Sequence, residues 1–212
     1  MCGRYELITE IEEFPLILKR DFPKGFRKCY EKQELIKPGD PIIVLKDEGK
    51  VSTSLMLWGF IPEWAKSPLK KSKPRPFNAR IETVEEKKLF RGSWRYKRCV
   101  FPASAFFEKD YKIRKKDGKI FWLAGIWNKW ISYNGREVES CCVLTTYPNR
   151  LIKTIHNRMP VIIPQGLEES WIAPVKSKTE LRELKLKFSA WDPEDWEANR
   201  LNNTPTYQMH LF

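Results

Sequence analysis

Apolar stretches of strand length recur along the chain. Residues 51–58 (VSTSLMLW) alternate apolar and polar positions, which is typical of a strand with one buried face, and other stretches are almost continuously apolar. The predicted strands are 41–45, 51–58, 98–103, 119–127, 137–146 and 159–163. The pattern therefore predicts a chain built mainly of β-strands.

Turn residues separate these predicted strands. Glu48-Gly49, Asp117-Gly118 and Asn134-Gly135 each pair a turn-forming residue with a glycine. The last two lie between strand-like stretches and predict β-hairpins, because such dipeptides favour tight reversals. We expect a largely antiparallel sheet.

Helices are predicted to be few and short. Thr9 with Glu12, and Thr83 with Glu86, have the spacing of a capping box, and residues 180–188 (ELRELKLKF) have helical apolar spacing. Together with the strands, these segments predict an α+β fold with a barrel-like, largely antiparallel core flanked by short helices.

Length and composition exclude several classes of protein. The chain has 212 residues, of which 42% are hydrophobic and 13% aromatic, too many for a disordered chain. We find no internal repeat or linker and predict one domain over residues 1–212, with a tail over about 199–212 that could be mobile. We expect a monomer.

Positive charge is concentrated in one quarter of the sequence. Residues 66–119 contain 18 Lys and Arg against 6 acidic residues, which equals the net charge of +12 of the whole chain. Such confined charge favours a polyanionic partner, although a solvated lysine face is the alternative. Nucleic acid is the partner that we expect.

Cysteine and histidine usage argues against a disulfide framework and a metal site. The five cysteines show no C-x-x-C spacing, and only two histidines are present. We expect no metal and no cofactor, and we interpret Cys29, Cys99, Cys141 and Cys142 as small apolar residues. The acidic N-terminal segment and the absence of a long apolar segment predict a cytoplasmic protein that does not enter a membrane.

Cys2 directly follows the initiator methionine. Removal of Met1 would leave an N-terminal cysteine that carries an α-amine and a thiol on one residue. The α-amine has a reference pKa near about 8 and the thiol near about 8.5, so both are partly reactive at neutral pH. An amine of this kind condenses with an aldehyde to an imine, and the thiolate can then close a thiazolidine ring.

A series of short motifs resembles one protein family. The chain is similar to the SOS-response-associated peptidase family, whose members process abasic sites in DNA, and the resemblance spans roughly residues 1–172. The motifs occur in one order along the chain: MCGRY (1–5), WGFIPEWA (58–65), FNARIET (77–83), RCVFPASAFFE (98–108), LAGIW (123–127), LTT (144–146) and IHNRMPVII (155–163). The resemblance implies a β-barrel-like core, single-stranded or gapped DNA as substrate, and a covalent thiazolidine crosslink made by the N-terminal cysteine.

The resemblance assigns catalytic roles to four residues: Cys2, Asn78, Glu108 and His156. Cys2 is the nucleophile, and Glu108 is suited to transfer protons during imine formation. His156 could assist sugar ring opening, because imidazole titrates near neutral pH. Asn78 would position the Cys2 amine or the sugar through hydrogen bonds. In this chain Lys109 occupies the position after Glu108 where the family commonly has tryptophan.

The resemblance also implies DNA contacts. Arg4, Arg80 and Arg158 are predicted to bind phosphates, for which the planar guanidinium is well suited. We expect Trp58 to stack on a base, and residues such as Lys70, Lys71 and Arg98 to add salt-sensitive attraction. The basic window and Cys2 should then share one surface.

Two further functions and one partner stay open at this point. One is a cysteine-type peptidase that uses Cys2 and His156 and removes its own first residue. Another is a non-catalytic single-stranded DNA-binding module. The chain ends in QMHLF, and Gln208–Phe212 resembles the peptide by which bacterial repair proteins bind the sliding clamp.

Overall fold

A computed structural model describes residues 2–19, 22, 25, 30–66, 75–188 and 191–201. The strands of this part are β1 (Arg4–Leu7), β2 (Gln33–Ile36), β3 (Pro41–Asp47), β4 (Val51–Trp58), β5 (Asn78–Arg80), β6 (Arg98–Ala103), β7 (Ala105–Glu108), β8 (Tyr111–Lys115), β9 (Phe121–Ile131), β10 (Glu137–Thr146), β11 (Met159–Pro160), β12 (Ile162–Ile163) and β13 (Trp196–Arg200). The helices are α1 (Leu16–Lys19), α2 (Arg91–Tyr96), α3 (Arg150–Lys153), α4 (Glu168–Ile172) and α5 (Lys178–Lys187).

Five strands close into a barrel. Their order around the ring is β10, β4, β3, β6 and β9, and β9 pairs back onto β10. The β4–β10 pair is parallel, whereas the other four pairs of the ring are antiparallel. The predicted α+β fold with a barrel-like, largely antiparallel core and short flanking helices is therefore confirmed.

The interior of the barrel is packed without spare space around Gly125 on β9. A Cβ atom at this position would lie 2.3 Å from the Phe101 ring and 2.7 Å from the Cys142 carbonyl oxygen, so only glycine fits. Cys99, Cys141 and Cys142 are buried and unpaired on β6 and β10, as expected for small apolar side chains. Cys29 lies outside the described residues.

A second sheet carries the N-terminus. Its strand order is β13, β8, β7, β1 and β2, and its pairs are antiparallel. Arg4 on β1 lies opposite Phe107 on β7. Continuing this register by one residue places Gly3 opposite Glu108, so the pairing itself brings the N-terminus to the end of β7.

Two of the three glycine turns connect paired strands. Asn134-Gly135 joins β9 to β10, and Glu48-Gly49 joins β3 to β4. The hairpin predicted at Asp117-Gly118 is wrong, because β8 pairs with β7 and β13 whereas β9 belongs to the barrel. The turn instead carries the chain from one sheet to the other.

Of the three helical segments predicted from capping boxes and apolar spacing, only the one over residues 180–188 is a helix of the predicted kind. Helix α5 covers the predicted segment and is capped by Ser177, whose hydroxyl accepts from the Glu180 N–H at 3.1 Å. The Thr9 hydroxyl bonds to Ser104 instead, and a 3₁₀ turn begins at Ile11. Thr83 lies in a series of turns over residues 81–86, so the helix predicted there is wrong.

The end of the described chain is part of a sheet. Strand β13 pairs with β8 as far as Arg200, which lies opposite Tyr111, and the Leu201 N–H donates to the Asp110 carbonyl at 2.7 Å. The sheet therefore extends two residues into the region of about 199–212 that was predicted as a tail. Residues 202–212, including Gln208–Phe212, lie outside the described residues.

Within the described part of the chain, no helix is long and apolar enough to cross a membrane.

Candidate active site

Cys2 is held inside the protein at the start of β1. Its side chain is fully buried, and its Sγ lies 4.0 Å from the Arg4 carbonyl oxygen. The Asn78 side-chain amide donates to the Cys2 carbonyl oxygen at 2.9 Å. Asn78 is the first residue of β5, which pairs with β10 of the barrel, so the barrel positions the backbone of Cys2.

Glu108 and His156 form the other half of the site. Glu108 is the last residue of β7. His156 follows α3, and its backbone N–H donates to the Ile152 carbonyl at 2.8 Å. The Glu108 Oε1 lies 3.7 Å from the His156 Nε2. The fold thus brings together four residues that are as much as 154 positions apart in the sequence, and we name Cys2, Asn78, Glu108 and His156 the reactive cluster.

The backbone of Arg158 contacts the His156 ring at one nitrogen. The Arg158 N–H lies 3.0 Å from the His156 Nδ1, and the Arg158 carbonyl oxygen lies 3.2 Å from the same atom. These contacts hold the ring with its Nε2 facing Glu108. When Nδ1 accepts from the Arg158 N–H, the neutral ring carries its proton on Nε2 and presents a donor to the Glu108 carboxylate.

The environment of the Cys2 thiol keeps it protonated. Burial, together with the negative charge of Glu108, raises the pKa of this thiol to about 12. A thiolate is disfavoured at neutral pH, but the nearby carboxylate is placed to accept a proton from a group that reacts here.

The side-chain oxygen of Asn78 is an unused hydrogen-bond acceptor within the described part of the chain. Its Nδ2 is bonded to Cys2, whereas its buried Oδ1 has no hydrogen-bond partner among the described residues. A buried acceptor without a donor costs about 1–3 kcal/mol. This oxygen is suited to accept from an amine or a sugar hydroxyl that enters the site.

The three predicted phosphate-binding arginines have different environments. Arg80 is exposed at the end of β5 and lines an open cavity of about 460 Å³ together with Asn78 and Lys87. The Arg4 Nη2 donates to the Lys109 carbonyl at 2.7 Å, and Lys109 has a positive φ of 52°. Arg4 thereby fixes the turn that follows Glu108.

Arg158 is the most constrained of the three. It is buried and forms a two-point contact with the Glu82 carboxylate at 3.1 and 2.8 Å, and its Nη2 also donates to the Thr145 carbonyl at 2.7 Å. A phosphate would have to compete with these partners, so the structure favours a structural role for this guanidinium.

The tryptophan predicted to stack on a base is part of the core. Trp58 is 0% exposed, its Nε1 donates to the Phe77 carbonyl at 2.9 Å, and its ring packs against Tyr5. The stacking prediction for Trp58 is therefore wrong, since no ring face reaches the surface. Trp64, six residues further in the same motif, is 66% exposed, and only exposure in the fold distinguishes the two.

One basic residue was also assigned incorrectly. Arg98 is buried and donates to the carbonyls of Trp94, Arg95, Trp171 and Ala173, so it is unavailable to DNA. Lys70 and Lys71 lie outside the described residues. Across the described chain, no group of three His, Cys, Asp or Glu side chains is placed to hold a metal ion.

Comparison with known proteins identifies relatives along nearly the whole chain. Residues 1–204 match the family model described as SOS response associated peptidase (SRAP). The abasic site processing protein YoaM of Bacillus subtilis (strain 168) is 32% identical, over 97% of this chain and 94% of that protein. The abasic site processing protein YoqW of the same strain is also 32% identical, over 97% and 95%.

A solved structure shows the same architecture. The crystal structure of a protein from Bacteroides thetaiotaomicron superposes with a TM-score of 0.80 and 26% identity, covering 95% of this chain and 93% of that chain.

Proposed function

We propose that this chain, which belongs to the SOS response associated peptidase family, processes abasic sites in DNA. In this proposal the reaction proceeds through a covalent bond between the DNA and Cys2. The observation that carries the proposal is the meeting of Cys2, Asn78, Glu108 and His156 in one cluster, in which Cys2 and Glu108 are buried and Asn78 and His156 are half-buried. The names of the two Bacillus relatives support the choice of substrate.

The first step requires an amine at Cys2, which removal of Met1 would provide. In its open-chain form an abasic deoxyribose carries an aldehyde. The Cys2 nitrogen attacks the aldehyde carbon and forms a C–N bond, and loss of water then gives an imine. Two protons pass from the nitrogen to the former carbonyl oxygen, the first to make it a hydroxyl and the second to release it as water, and Glu108 is placed to accept and return each in turn.

The second step uses the thiol. The Cys2 sulfur attacks the imine carbon to form a C–S bond, the thiol proton passes to Glu108, and the imine nitrogen takes up a proton. The net reaction joins one aldehyde and one aminothiol to a thiazolidine and releases one water. This order fits the burial of Cys2, because the amine reacts first and the buried thiol needs a base beside it.

Asn78 and His156 have supporting roles in this scheme. Asn78 holds the Cys2 backbone by its amide and offers its Oδ1 to the α-amine or to a sugar hydroxyl. His156 directs its Nε2 towards Glu108, where a proton on this nitrogen stabilises the carboxylate or helps to open the sugar ring.

A cysteine peptidase receives less support from this geometry. Such an enzyme needs a thiolate paired with an imidazole, whereas here the His156 Nε2 faces Glu108 and the pKa of the Cys2 thiol is raised to about 12. We therefore prefer DNA processing as the function of the reactive cluster.

The test is incubation with a single-stranded oligonucleotide that carries one abasic site, followed by denaturing electrophoresis. Intact mass first verifies that Met1 is absent. We expect a shifted band for the wild-type protein and none for Cys2→Ala. Salt-dependent binding without any shifted band would contradict the proposal and favour a non-catalytic DNA-binding module.

Cys2→Ser separates the amine from the thiol. Serine at position 2 also permits methionine removal and keeps the α-amine, so an imine can form but a thiazolidine cannot. We expect a band for this variant only when borohydride is present to reduce the imine. A stable band without borohydride would show that the thiol is not needed.

A further inference from the structure

A basic cleft lies between helices α2 and α5, on residues that the proposed reaction does not use. Arg91 and Arg95 of α2 line it together with Lys178 and Arg182 of α5, and its volume is about 470 Å³. Glu85 is the acidic residue in the lining, and its carboxylate lies 3.4 Å from the Lys185 Nζ. The cleft therefore has a clear excess of positive charge. We name Arg91, Arg95, Lys178 and Arg182 the α2–α5 face.

These four cations are exposed and available. None of them forms an ion pair with another residue in the part of the chain that the structure describes. By contrast, Lys97 on the same segment is bound to Glu63 at 2.9 Å. Four like charges that lack acidic partners repel one another, so a polyanion that binds them all is stabilised.

An exposed aromatic residue adjoins the charges. Tyr96 is 60% exposed, and the Arg95 guanidinium lies 5.1 Å from the centre of its ring. Alternating guanidinium and aromatic groups suit an unpaired nucleic acid strand, in which phosphates and bare base faces are both accessible. A purely ionic partner would leave the exposed ring unused.

Two further cavities lie between the cleft and Asn78 of the reactive cluster. Gly92 and Tyr96 also line a neighbouring cavity of about 300 Å³, which contains Trp64 and Leu89. Leu89 in turn lines the cavity that contains Asn78 and Arg80. Shared lining residues thus place three neighbouring cavities in a series from Asn78 to the α2–α5 face, and we call this series the groove.

We propose that the α2–α5 face binds the phosphate backbone of the single-stranded DNA arm on one side of the abasic site, and that Tyr96 stacks on one of its bases. This inference rests on the proposed function for the identity of the substrate. It assigns a DNA-binding role to residues outside the reactive cluster and places the strand along the groove past Leu89.

The experiment measures equilibrium binding of undamaged single-stranded DNA to Cys2→Ala protein, in which no crosslink can form. Arg95→Ala/Arg182→Ala removes one cation from each helix and keeps good helix formers at both positions. Lys119→Ala/Lys187→Ala is the matched control, since it removes the same charge at exposed positions, and Lys187 lines a different cavity. Oligonucleotides of about 6 and about 30 nucleotides distinguish local from extended contacts.

For the long oligonucleotide we expect the arginine variant to bind about 10-fold more weakly at low salt. Its plot of log affinity against log salt should become shallower by about 1.4, because each lost phosphate contact contributes about 0.7. The short oligonucleotide should bind almost equally to both double variants. Tyr96→Ala should weaken binding without changing the salt slope, because stacking releases no counterions.

Equal losses in the arginine variant and the lysine control would overturn the inference, since general attraction would then explain both. An unchanged salt slope in the arginine variant would also overturn it. The proposed function is tested separately, because crosslinking of the short oligonucleotide carrying an abasic site needs only the reactive cluster. Loss of that crosslink with intact binding of the long strand would contradict the proposed chemistry, and the DNA-binding role of the α2–α5 face would still hold.

Discussion

The reactive cluster and the α2–α5 face are built on opposite principles. In the cluster, Cys2 and Glu108 are buried, and Asn78 bonds the Cys2 carbonyl at 2.9 Å. On the face, the four cations are exposed and lack acidic partners among the described residues. The reaction at the cluster depends on the exact positions of its side chains, whereas DNA affinity at the face depends on the number and sign of its charges.

This difference determines how each region responds to change. Buried groups are little screened by salt and tolerate no shift in geometry, because a small displacement of a reacting group costs much of the rate. Exposed charges act additively and are weakened by salt. A substitution in the cluster that preserves shape but not charge should therefore lower the crosslinking rate strongly. A change of salt concentration should alter mainly the DNA affinity of the face.

The largest effect is expected for Glu108→Gln, which keeps the shape and removes the proton acceptor. The crosslinking rate should fall by about 10²- to 10⁴-fold, the usual contribution of general acid–base catalysis. The pKa of the Cys2 thiol should move down from about 12, since a negative charge that raises it is lost. Single-turnover crosslinking and the pH profile of thiol alkylation measure these two effects, and the rate should fall although the thiol becomes more acidic.

Glu6→Gln is the control for that variant. Glu6 is also a buried glutamate of the same sheet, and its carboxylate lies 2.7 Å from the Lys112 Nζ. We expect it to change stability but to leave the crosslinking rate almost unaltered. Equal rates for Glu108→Gln and the wild type would remove Glu108 from the mechanism.

A smaller loss is expected for Asn78→Ala, which removes the contact to the Cys2 carbonyl. We expect the crosslinking rate to fall by about 10- to 100-fold, because the nucleophile is less well positioned. Asn128→Ala is the matched variant, since Asn128 is a buried amide bonded to the Ile61 carbonyl at 2.9 Å. If both variants lower the rate equally, Asn78 acts only through stability.

Salt should separate the two regions in the wild-type protein. Between about 50 and 200 mM salt, the affinity for a long single strand should fall by at least about 10-fold. The crosslinking rate at saturating DNA should stay within about 2-fold, because the buried cluster is little screened. Titrating DNA at each salt concentration gives both quantities. A parallel loss of maximal rate would contradict the distinction between the regions.

Trp58 and Trp64 lie in one motif, and substituting each of them compares the stability contributed by a buried and by an exposed tryptophan. Trp58→Phe should lower the free energy of unfolding by about 1–3 kcal/mol, because a buried hydrogen bond to Phe77 and packing volume are lost. Trp64→Phe should change it by less than about 0.5 kcal/mol. Denaturant unfolding provides the measurement, and equal values would show that the burial of Trp58 is not important for stability.

The smallest effect concerns Glu82, which connects Arg158 to helix α5. Its carboxylate binds Arg158, and its carbonyl accepts from the Lys185 Nζ of α5 at 2.7 Å. Burial by itself would raise the pKa of Glu82, but the hydrogen bonds and charge of Arg158 outweigh it, so the pKa lies below 4.5.

Because the folded pKa of Glu82 is lowered, its contribution to stability is present above pH 4.5 and is lost as the pH falls through the folded value. Glu82→Gln should remove this part of the acid sensitivity. Unfolding free energies measured on both sides of pH 4.5 test the expectation, and identical pH profiles for variant and wild type would contradict it.

Much of the local structure could be predicted from the sequence. The predicted strands 51–58, 98–103 and 137–146 coincide with β4, β6 and β10, because apolar patterning and turn residues act over a few neighbouring positions. The four residues of the reactive cluster were predicted from the resemblance of short motifs to a family, and the fold places Asn78 beside Cys2 and His156 beside Glu108.

Only the tertiary structure decided which groups face DNA and which support the core. Trp58 and Trp64 lie in one motif, yet one is buried and the other exposed, and Arg98 binds four backbone carbonyls although it lies in the basic window. The turn at Asp117-Gly118 joins two different sheets. Burial and strand partners depend on contacts between distant segments, which local sequence patterns do not encode. For the same reason, the groove from Asn78 to Arg182 appears only when the chain is folded.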